Sequence, residues 1–496
     1  MKRIGKYIAS VLLVSLLTIG LAACGKAENN SQSGENSDDT IISGKVDVKY
    51  TSRDLAGTWR EENATKVKLS GDSYTIKEAG VYVFSGTLKD GQIIVEAGDT
   101  DKVQIVLNGV DIKCADGPAI LIENADKTFI TLAEGSENTV ADGKTCASAE
   151  DQPWGTIFSK DNLTINGSGK LVVKGNYRHG IVSKDDLKVT GGEIEVTAVK
   201  DGLRGKDSVR IYDGRITISA QGNGIKSNNE KDENKGFISI DGGEIDIKDV
   251  SSQGMEAYQV AQMTGGTLNI DSSNEGIQAK NIYIKDGTLN INAADDCLNA
   301  ADSQSTGSEE KQDGVNLEIV GGILNLSTTA GDGLDSNGDL TVSGGTTILQ
   351  GSSGGVEVTL DYNGEGTISG GTVIGVGNTQ MAQNFGENST QGAILYGGSN
   401  YSAGTTVTLT DADGKELASM KAERSFSCVL VSAPGMIKGD TYKLKIGDDT
   451  TEVQLSSIVV SEGISGQMGG GGRGPGGDRN GTPAEMPEEG PQGRPD

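Results

Sequence analysis

The sequence contains one histidine and five cysteines, and no two of the cysteines have the short spacing of a metal-binding motif. Because zinc and similar metals need clustered His and Cys ligands, the chain is not expected to hold a transition metal. Basic residues are also scarce, since 43 Lys and Arg stand against 70 Asp and Glu and the formal charge is −27. A chain this acidic repels phosphate backbones, so no nucleic-acid partner is expected.

Aromatic side chains make up only 4% of the chain, with Trp59 and Trp154 as its two tryptophans. Stacking of flat rings on neutral sugars is therefore limited. Apolar residues at helical spacing are also absent, which argues against an α-helical architecture. What remains is a set of short apolar alternations separated by glycine, a pattern typical of an all-β fold.

The N-terminus has the features of a secretory signal that ends in a lipidation site. Lys2, Arg3 and Lys6 precede an apolar run over residues 8–23, which predicts a signal peptide at residues 1–23. The run ends in "LAAC", which resembles a bacterial lipobox, so Cys24 is predicted to carry the lipid. The mature protein is then expected at the outer face of the bacterial cell membrane, attached through this anchor only.

Two polar segments flank the predicted fold. Residues 24–43 are rich in Asn, Ser, Glu and Gly, and they predict a disordered acidic tether. Residues 461–496 predict a disordered Gly/Pro-rich tail, which contains five of the eight prolines. The chain between them is predicted to form a parallel β-helix at residues 44–402 and a small antiparallel β cap at residues 403–460, with a hairpin around Asp413-Gly414.

The central part of the chain repeats a pair in which a small residue precedes an apolar one, mostly at steps of 21 or 22 residues. The pairs are Gly180-Ile181, Gly202-Leu203, Gly224-Ile225, Gly254-Met255, Gly276-Ile277, Cys297-Leu298, Gly333-Leu334 and Gly355-Val356. Each repeat adds two further alternating runs, separated by a Gly-Gly or Asp-Gly turn such as Gly191-Gly192 or Asp286-Gly287. Three strands in about 22 residues predict a right-handed, single-stranded parallel β-helix in which the repeats stack on each other.

Stacking places equivalent residues of successive repeats about 4.8 Å apart, so acids at equivalent positions become neighbours. The positions around each pair flank an inward apolar residue and are expected to face outward. They hold the candidate metal ligands, which are Glu256, Glu275, Asp295, Asp296, Asn299, Asp332 and Asp335. Two carboxylates about 5 Å apart repel by roughly 3 kcal/mol at an effective dielectric near 20. Calcium takes six to eight oxygens at about 2.3–2.6 Å and would relieve this repulsion, so these residues predict a Ca²⁺ site. A solvated acidic face is the alternative.

Two insertions, at residues 228–236 and 301–314, leave the repeat at the same turn after the first strand. Loops from one edge are expected to wall the acidic face into a groove. Decoration without function is the alternative, because solenoids tolerate insertions in such turns.

Several stretches resemble a known family. "TWREENATKVKLSGDSYTIKEAGVYVFSGTL", "VQIVLNGVDIK", "ITLAEGSENTVADG", the serial Gly-Ile repeats, "SFSCVLVSAPGMIKGDTYKL" and the Gly-rich tail are similar to the clostridial carbohydrate-binding β-helix family, over roughly residues 54–472. The resemblance implies a right-handed parallel β-helix, bound calcium, and binding of cellulose and pectic polysaccharide. It also implies a fold similar to polysaccharide lyases of family nine, in which clustered aspartates hold calcium and a lysine is the base. Asp295 and Asp296 match the paired acids of that site. Lys226 and Lys280 lie on preceding repeats, but nothing in the sequence marks either as a buried base with a lowered pKa.

The sequence therefore predicts a non-catalytic, calcium-binding, carbohydrate-binding surface lipoprotein whose partner is an acidic or cellulosic polysaccharide. A calcium-dependent, pectate-type polysaccharide lyase is the first alternative, and a structural or adhesive surface stalk is the second. An acidic groove would repel a uronate chain unless calcium joined the two, which favours cation-mediated binding.

Overall fold

The structure, a computed structural model, describes residues 39–147, 152, 154–305, 310–351, 359–380 and 382–464. The predicted signal peptide, Cys24, residues 25–38 of the tether and residues 465–496 of the tail lie outside the described residues. Over the described ranges the chain is all-β, with one five-residue α-helix at Ser52–Ala56 and one 3-10 turn at Glu61–Asn63. None of its described helices is long and apolar enough to cross a membrane.

The repeats stack through three parallel ladders, to each of which every repeat contributes one strand. The first, the anchor ladder, begins at the small-apolar pair of each repeat. Its strands are Tyr74–Ile76, Ile93–Glu96, Ile120–Asn124, Gly155–Ser159, His179–Ser183, Leu203–Gly205, Ile225–Ser227, Met255–Met263, Ile277–Ile284, Leu298–Ala300, Leu334–Ser336 and Leu360–Tyr362.

The second ladder follows the anchor ladder along the chain. Its strands are Ala64–Ser70, Gly80–Leu88, Lys102–Cys114, Lys127–Leu132, Asn162–Gly167, Asp186–Ala198, Ser208–Ala220, Phe237–Ile240, the later halves of Met255–Met263 and Ile277–Ile284, Asn316–Ile319, Asp339–Val342 and Gly366–Ile368.

The third ladder closes each repeat. It takes the later halves of Gly80–Leu88, Lys102–Cys114, Asp186–Ala198 and Ser208–Ala220, together with Glu137–Asp142, Lys170–Gly175, Glu244–Val250, Thr267–Ser273, Thr288–Ala293, Ile323–Thr328, Thr346–Gln350 and Thr372–Gly377. Parallel pairing of each strand with its equivalent one repeat away is compatible with a parallel β-helix.

The glycine turns between the second and third ladders have a steric reason. Gly266 has a φ of +82°, and a Cβ there would lie 2.7 Å from the carbonyl carbon of Gly242 one repeat earlier. A side chain at this position would therefore meet backbone that has no room to move. The turn residues in the sequence mark the place where the stacked backbones approach most closely.

The anchor positions pair as the sequence predicts from Ile181 to Leu334, and then the register differs. Leu334 pairs with Leu360, whereas the sequence analysis placed Val356 in this position. The prediction was wrong because the distance to the next strand is conserved within a repeat. Leu340 lies six residues after Leu334, and its partner Gly366 lies six residues after Leu360. Gly355 and Val356 lie outside the described residues.

The apolar residues of the three ladders point inward and form one core that runs through the stacked repeats, from Leu69 to Leu430. The four described cysteines are free thiols, and Cys297 and Cys428 are buried.

The C-terminal region has a second core and a change of strand direction. Phe426–Ser432 pairs antiparallel with Thr372–Gly377 and with Ala393–Tyr401. A separate antiparallel sheet has the order Glu416–Lys421, Thr406–Thr410, Thr441–Ile446 and Asp449–Gln454. Its apolar face packs in a core of its own with Val429 and Val431. The hairpin predicted around Asp413-Gly414 is present.

The end of this region corrects a predicted boundary. Val459–Glu462 pairs in parallel with Ala393–Tyr401, so the first two residues of the predicted tail belong to a strand. Val459 and Ile464 pack against the main core.

The N-terminal strap, residues 40–57, crosses the outer face of the second ladder. Thr40–Ile42 pairs antiparallel with Val48–Tyr50, so the predicted tether, residues 24–43, is too long at its C-terminal end. Tyr50 is fully buried against Tyr212, and its hydroxyl donates a 2.7 Å hydrogen bond to Asp241. Val48 and Tyr50 are buried on the repeats and hold the strap in place. Residues 44–57 were predicted to be part of the β-helix, but they lie outside its three ladders.

Asp54 in the strap is fully buried beneath the short helix and is surrounded by donors. Lys127 pairs with its Oδ1, Lys188 lies 3.2 Å from its Oδ2, and Thr164 donates a 2.7 Å bond. Burial alone would raise the pKa of Asp54, but the charges of the two lysines hold it well below its usual range. The strap is therefore attached by a buried ionic cluster.

Candidate functional site

A column of polar residues occupies the turn between the third ladder and the anchor ladder. Each member directly precedes the small-apolar pair of its repeat. This polar column consists of His179, Asp201, Asn223, Gln253, Glu275, Asp296 and Asp332. Five of the seven are more than nine-tenths buried, so the expectation that this column faces outward is wrong. The stacked backbones of neighbouring repeats cover it.

Side chains in the polar column accept backbone N–H groups from the next repeat. Asp201 N–H donates to His179 Nδ1 at 3.1 Å, and Asn223 N–H donates to Asp201 Oδ1 at 3.1 Å. Gln253 N–H donates in turn to Asn223 Oδ1 at 3.1 Å. In these turns the ladders offer no carbonyl acceptor to such N–H groups, and a buried N–H without an acceptor is costly. Polar residues in the column thus have a structural role that the sequence analysis missed.

The early part of the column neutralises its charges. Arg204 Nη1 donates to Asp201 Oδ2 at 2.8 Å, and Asn223 Nδ2 donates to Asp201 Oδ1 at 3.0 Å. Burial lowers the pKa of His179, which is consistent with an unprotonated Nδ1 that accepts a backbone N–H. Burial alone would raise the pKa of Asp201, but its donors hold it well below the usual range.

The later part of the column brings carboxylates together. We call Glu275, Asp295, Asp296, Asn299 and Asp332 the acidic corner. Burial raises the pKa of Glu275 to about 7, and the charges of Asp296 and Asp295 add to the shift. Hydrogen bonds from Asn299 and Gln253 oppose it. Asp296 Oδ1 accepts the Asp332 N–H at 2.7 Å. At this position the column again binds a backbone N–H of the next repeat, as it does in the early repeats.

Two oxygens of the acidic corner are buried without a hydrogen-bond partner. They are Glu275 Oε2 and Asn299 Oδ1, on side chains that are 8% and 9% exposed. A buried acceptor without a donor is costly, and such a group calls for a specific explanation. Two oxygen acceptors beside further carboxylates form a donor set that suits a hard cation.

The structure separates the seven predicted ligands into groups. Glu256 stands apart, because it stacks on Lys226 and pairs with its ammonium at 2.5 Å. Asp335 belongs to a second column, formed by the residues that directly follow each pair. It pairs with Asn299 of the preceding repeat and with Asp361 of the next repeat. Asp361 was missed because the last repeat was assigned to the wrong register. Asp295 is exposed at the rim of the acidic corner.

Among the residues that the structure describes, no three His, Cys, Asp or Glu side chains are grouped so that they could hold a metal ion on their own. A cation in the acidic corner would therefore take Glu275 together with the amide oxygen of Asn299. Further oxygens would come from water or from a ligand.

The two lysines considered as bases each have a carboxylate partner. Lys226 pairs with Glu256, and Lys280 lies 2.8 Å from Asp302. An ion pair favours the charged form of a lysine, whereas a general base must give up its proton.

The two insertions fold back on the opposite edge of the anchor ladder. Lys235 of the first insertion pairs with Asp207 at 2.7 Å, and Lys311 of the second pairs with Asp339 at 2.7 Å. The contacts of these loops therefore lie at the turn toward the second ladder. The loops that were expected to wall the acidic face therefore lie at the opposite end of the anchor strand from the polar column.

Comparisons with known proteins give consistent matches. A family model described as carbohydrate-binding domain-containing protein matches residues 70–309. A carbohydrate-binding domain-containing protein of Acetivibrio thermocellus is 35% identical over 293 residues, which are 58% of this chain and 96% of the relative. A solved structure, titled as a polysaccharide lyase-like protein from C. thermocellum in a gadolinium derivative, is 30% identical. It covers 47% of this chain and 98% of its own, with a TM-score of 0.40.

Proposed function

Because this chain belongs to the family of carbohydrate-binding domain-containing proteins, we propose that it is a non-catalytic, calcium-dependent binder of acidic polysaccharide. In this proposal the stacked ladders form a right-handed parallel β-helix. Lipid on Cys24 attaches the mature protein to the outer face of the cell membrane. The polysaccharide binds at the acidic corner.

The observation that carries the calcium proposal is the pair of unpartnered buried oxygens, Glu275 Oε2 and Asn299 Oδ1. A bound cation would satisfy both and would offset the repulsion between Glu275 and Asp296. The described side chains supply too few oxygens for a complete calcium shell of six to eight. The open positions leave room for a uronate carboxylate, so calcium would join protein and polymer.

The non-catalytic part of the proposal rests on the lysines. Abstraction of the proton next to a uronate carboxyl group needs a base that is neutral and within reach of the sugar. Lys226 and Lys280 are each engaged with a carboxylate. The polymer is therefore expected to be bound and released intact.

The test is retention of the mature protein on polygalacturonate, in calcium and in excess chelator, with unsaturated products followed by ultraviolet absorbance. Retention should require calcium and should fall strongly in Glu275→Gln and Asn299→Ala, with no absorbance change. Glu137→Ala removes an exposed glutamate elsewhere and serves as the control. Equal retention of wild type and both variants in calcium would overturn the site, and calcium-dependent product release would replace binding with lyase activity.

A further inference from the structure

A second recess lies on the same corner of the fold, in the early repeats. It is a cleft of about 610 Å³ around the first members of the polar column. Its charged and titratable lining consists of Arg178, His179, Lys200, Asp201, Arg204 and Lys226. Four cations thus stand against one carboxylate, in a protein whose formal charge is −27. We call it the basic cleft.

The cations of the basic cleft are two stacked pairs. Arg204 and Lys226 are in register on adjacent strands of the anchor ladder. Arg178 and Lys200 occupy equivalent turn positions, since the Lys200 N–H donates to the Arg178 carbonyl at 2.6 Å. Like charges in adjacent positions of a sheet are destabilising. Such pairs are therefore expected to be offset by carboxylates of the protein or by an anionic ligand.

The charges differ in how far the protein neutralises them. Arg204 is bound to Asp201, and Lys226 is paired with Glu256. Lys200 is exposed and forms no ion pair with any residue that the structure describes. The ammonium of Lys200 is thus available to an anionic ligand from outside.

The floor of the cleft is formed by buried members of the polar column. His179 and Asp201 are buried and hold each other through the polar-column hydrogen bonds. Gly222 continues the floor in the next repeat, where a Cβ would lie 2.8 Å from Asp201 Oδ1 and 2.9 Å from backbone of Lys200. Val199 lies at the rim and is 39% exposed. An apolar rim beside cations suits a ring that carries a carboxylate.

We infer that the basic cleft is a calcium-independent subsite that binds the carboxylates of a uronate polymer directly. The inference rests on the proposed function, because it names a second contact for the same polysaccharide. Lys200 and Arg204, which both line the cleft, would donate charge-assisted hydrogen bonds to the sugar carboxylate.

The position of the cleft along the repeats supports one polymer on both sites. Asp201 and Glu275 are members of the same column and are three repeats apart. At about 4.8 Å per repeat, the two sites are separated by about 14 Å, a distance that a short oligomer spans. A chain of negative charges would then meet cations of the protein first and calcium further along.

The experiment measures binding of a galacturonate hexamer to the mature protein in excess chelator by titration calorimetry. Binding should be detectable, should weaken with added salt, and should be about tenfold weaker in Lys200→Ala, which removes one charged donor. Lys206→Ala removes an exposed lysine of the same repeat that does not line the cleft, and its affinity should equal that of the wild type.

A methyl-esterified hexamer tests the carboxylate requirement, because it keeps the sugar rings and removes the charge. Loss of its binding supports the subsite. Equal affinity of Lys200→Ala and Lys206→Ala, or tight binding of the ester, would overturn it. Neither failure affects retention in calcium, which depends on Glu275, so the subsite and the proposed function are judged separately.

Discussion

Asp201 and Glu275 occupy equivalent positions in the polar column, yet their surroundings shift their pKa values in opposite directions. Asp201 receives donors from Arg204 and Asn223, and its pKa is held below the usual range. Burial and the carboxylates of the acidic corner raise the pKa of Glu275 to about 7. The same fold position therefore serves structure in one repeat and leaves a buried carboxyl oxygen without a partner in another. The outcome depends on the neighbouring repeats, not on the column itself.

The early repeats satisfy their buried charges elsewhere as well. Asp54 brings the strap onto Lys127 and Lys188, and burial, with the charge of Lys127, lowers the pKa of Lys188 to about 8. Two buried carboxylates of the early repeats, Asp54 and Asp201, thus have cationic partners within the protein. Asp142 is an exception, since it accepts the Asn176 N–H and burial raises its pKa to about 6. In the acidic corner, Glu275 has a buried oxygen without a partner.

The largest expected effect comes from breaking the paired region. Asp54→Ala would leave Lys188 buried without its carboxylate, and removing one partner of a buried ion pair typically costs about 3–5 kcal/mol. The free energy of unfolding, from urea denaturation at pH 7, should fall by this amount. Asp72→Ala, at an exposed position, is the control and should leave it unchanged. A loss below about 1 kcal/mol in Asp54→Ala would mean that the strap is not held by this cluster.

The next effect concerns the unpaired region, where calcium should supply the missing partner. A ligand that binds only the folded state stabilises it by about 2.7 kcal/mol at a hundredfold excess over its Kd. Thermal unfolding should therefore shift to lower temperature in chelator, and the shift should disappear in the double variant Glu275→Gln with Asn299→Ala. Identical melting curves with and without calcium would contradict the proposed cation site.

The pH dependence of the acidic corner should have the opposite sign to ordinary acid unfolding. Because the folded pKa of Glu275 is raised, its contribution to stability is complete below about pH 4.5 and is lost as pH rises through about 7. In chelator, the free energy of unfolding should fall over this window by on the order of 2 kcal/mol more in the wild type than in Glu275→Gln. Parallel profiles of the two proteins would show that Glu275 is not strained by its neighbours.

Much of the architecture could be predicted from the sequence, because the repeat is a local pattern. A small residue, an apolar residue and a glycine turn recur at fixed steps, and the pairing from Ile181 to Leu334 follows them. The prediction failed at Leu360 because Gly355-Val356 matches the small-apolar motif but not the six-residue spacing to the next strand. In a stacked ladder that spacing decides which residue is buried.

The site was less predictable, because pairing between repeats decides the state of each charge. Glu256 and Glu275 look alike in the sequence, but Lys226 neutralises one and carboxylates surround the other. The basic cleft was missed although Arg204 and Lys226 are visible in the same column. The strap could not be predicted either, since its contacts with Lys127 and Lys188 are distant in sequence.

The smallest expected effect separates the structural role of Asp201 from its charge. Asp201→Asn keeps an oxygen that accepts the Asn223 N–H but loses the ionic contact with Arg204. Because the folded pKa of Asp201 is depressed, its contribution is present above the usual value near 3.8 and is lost as pH falls below it. The variant should be less stable than the wild type by about 1 kcal/mol at pH 7, and the difference should shrink toward pH 2. Asp249→Asn, at an exposed position, is the control in urea denaturation. A constant difference across pH would mean that the hydrogen-bond geometry of the column, not the charge of Asp201, stabilises the early repeats.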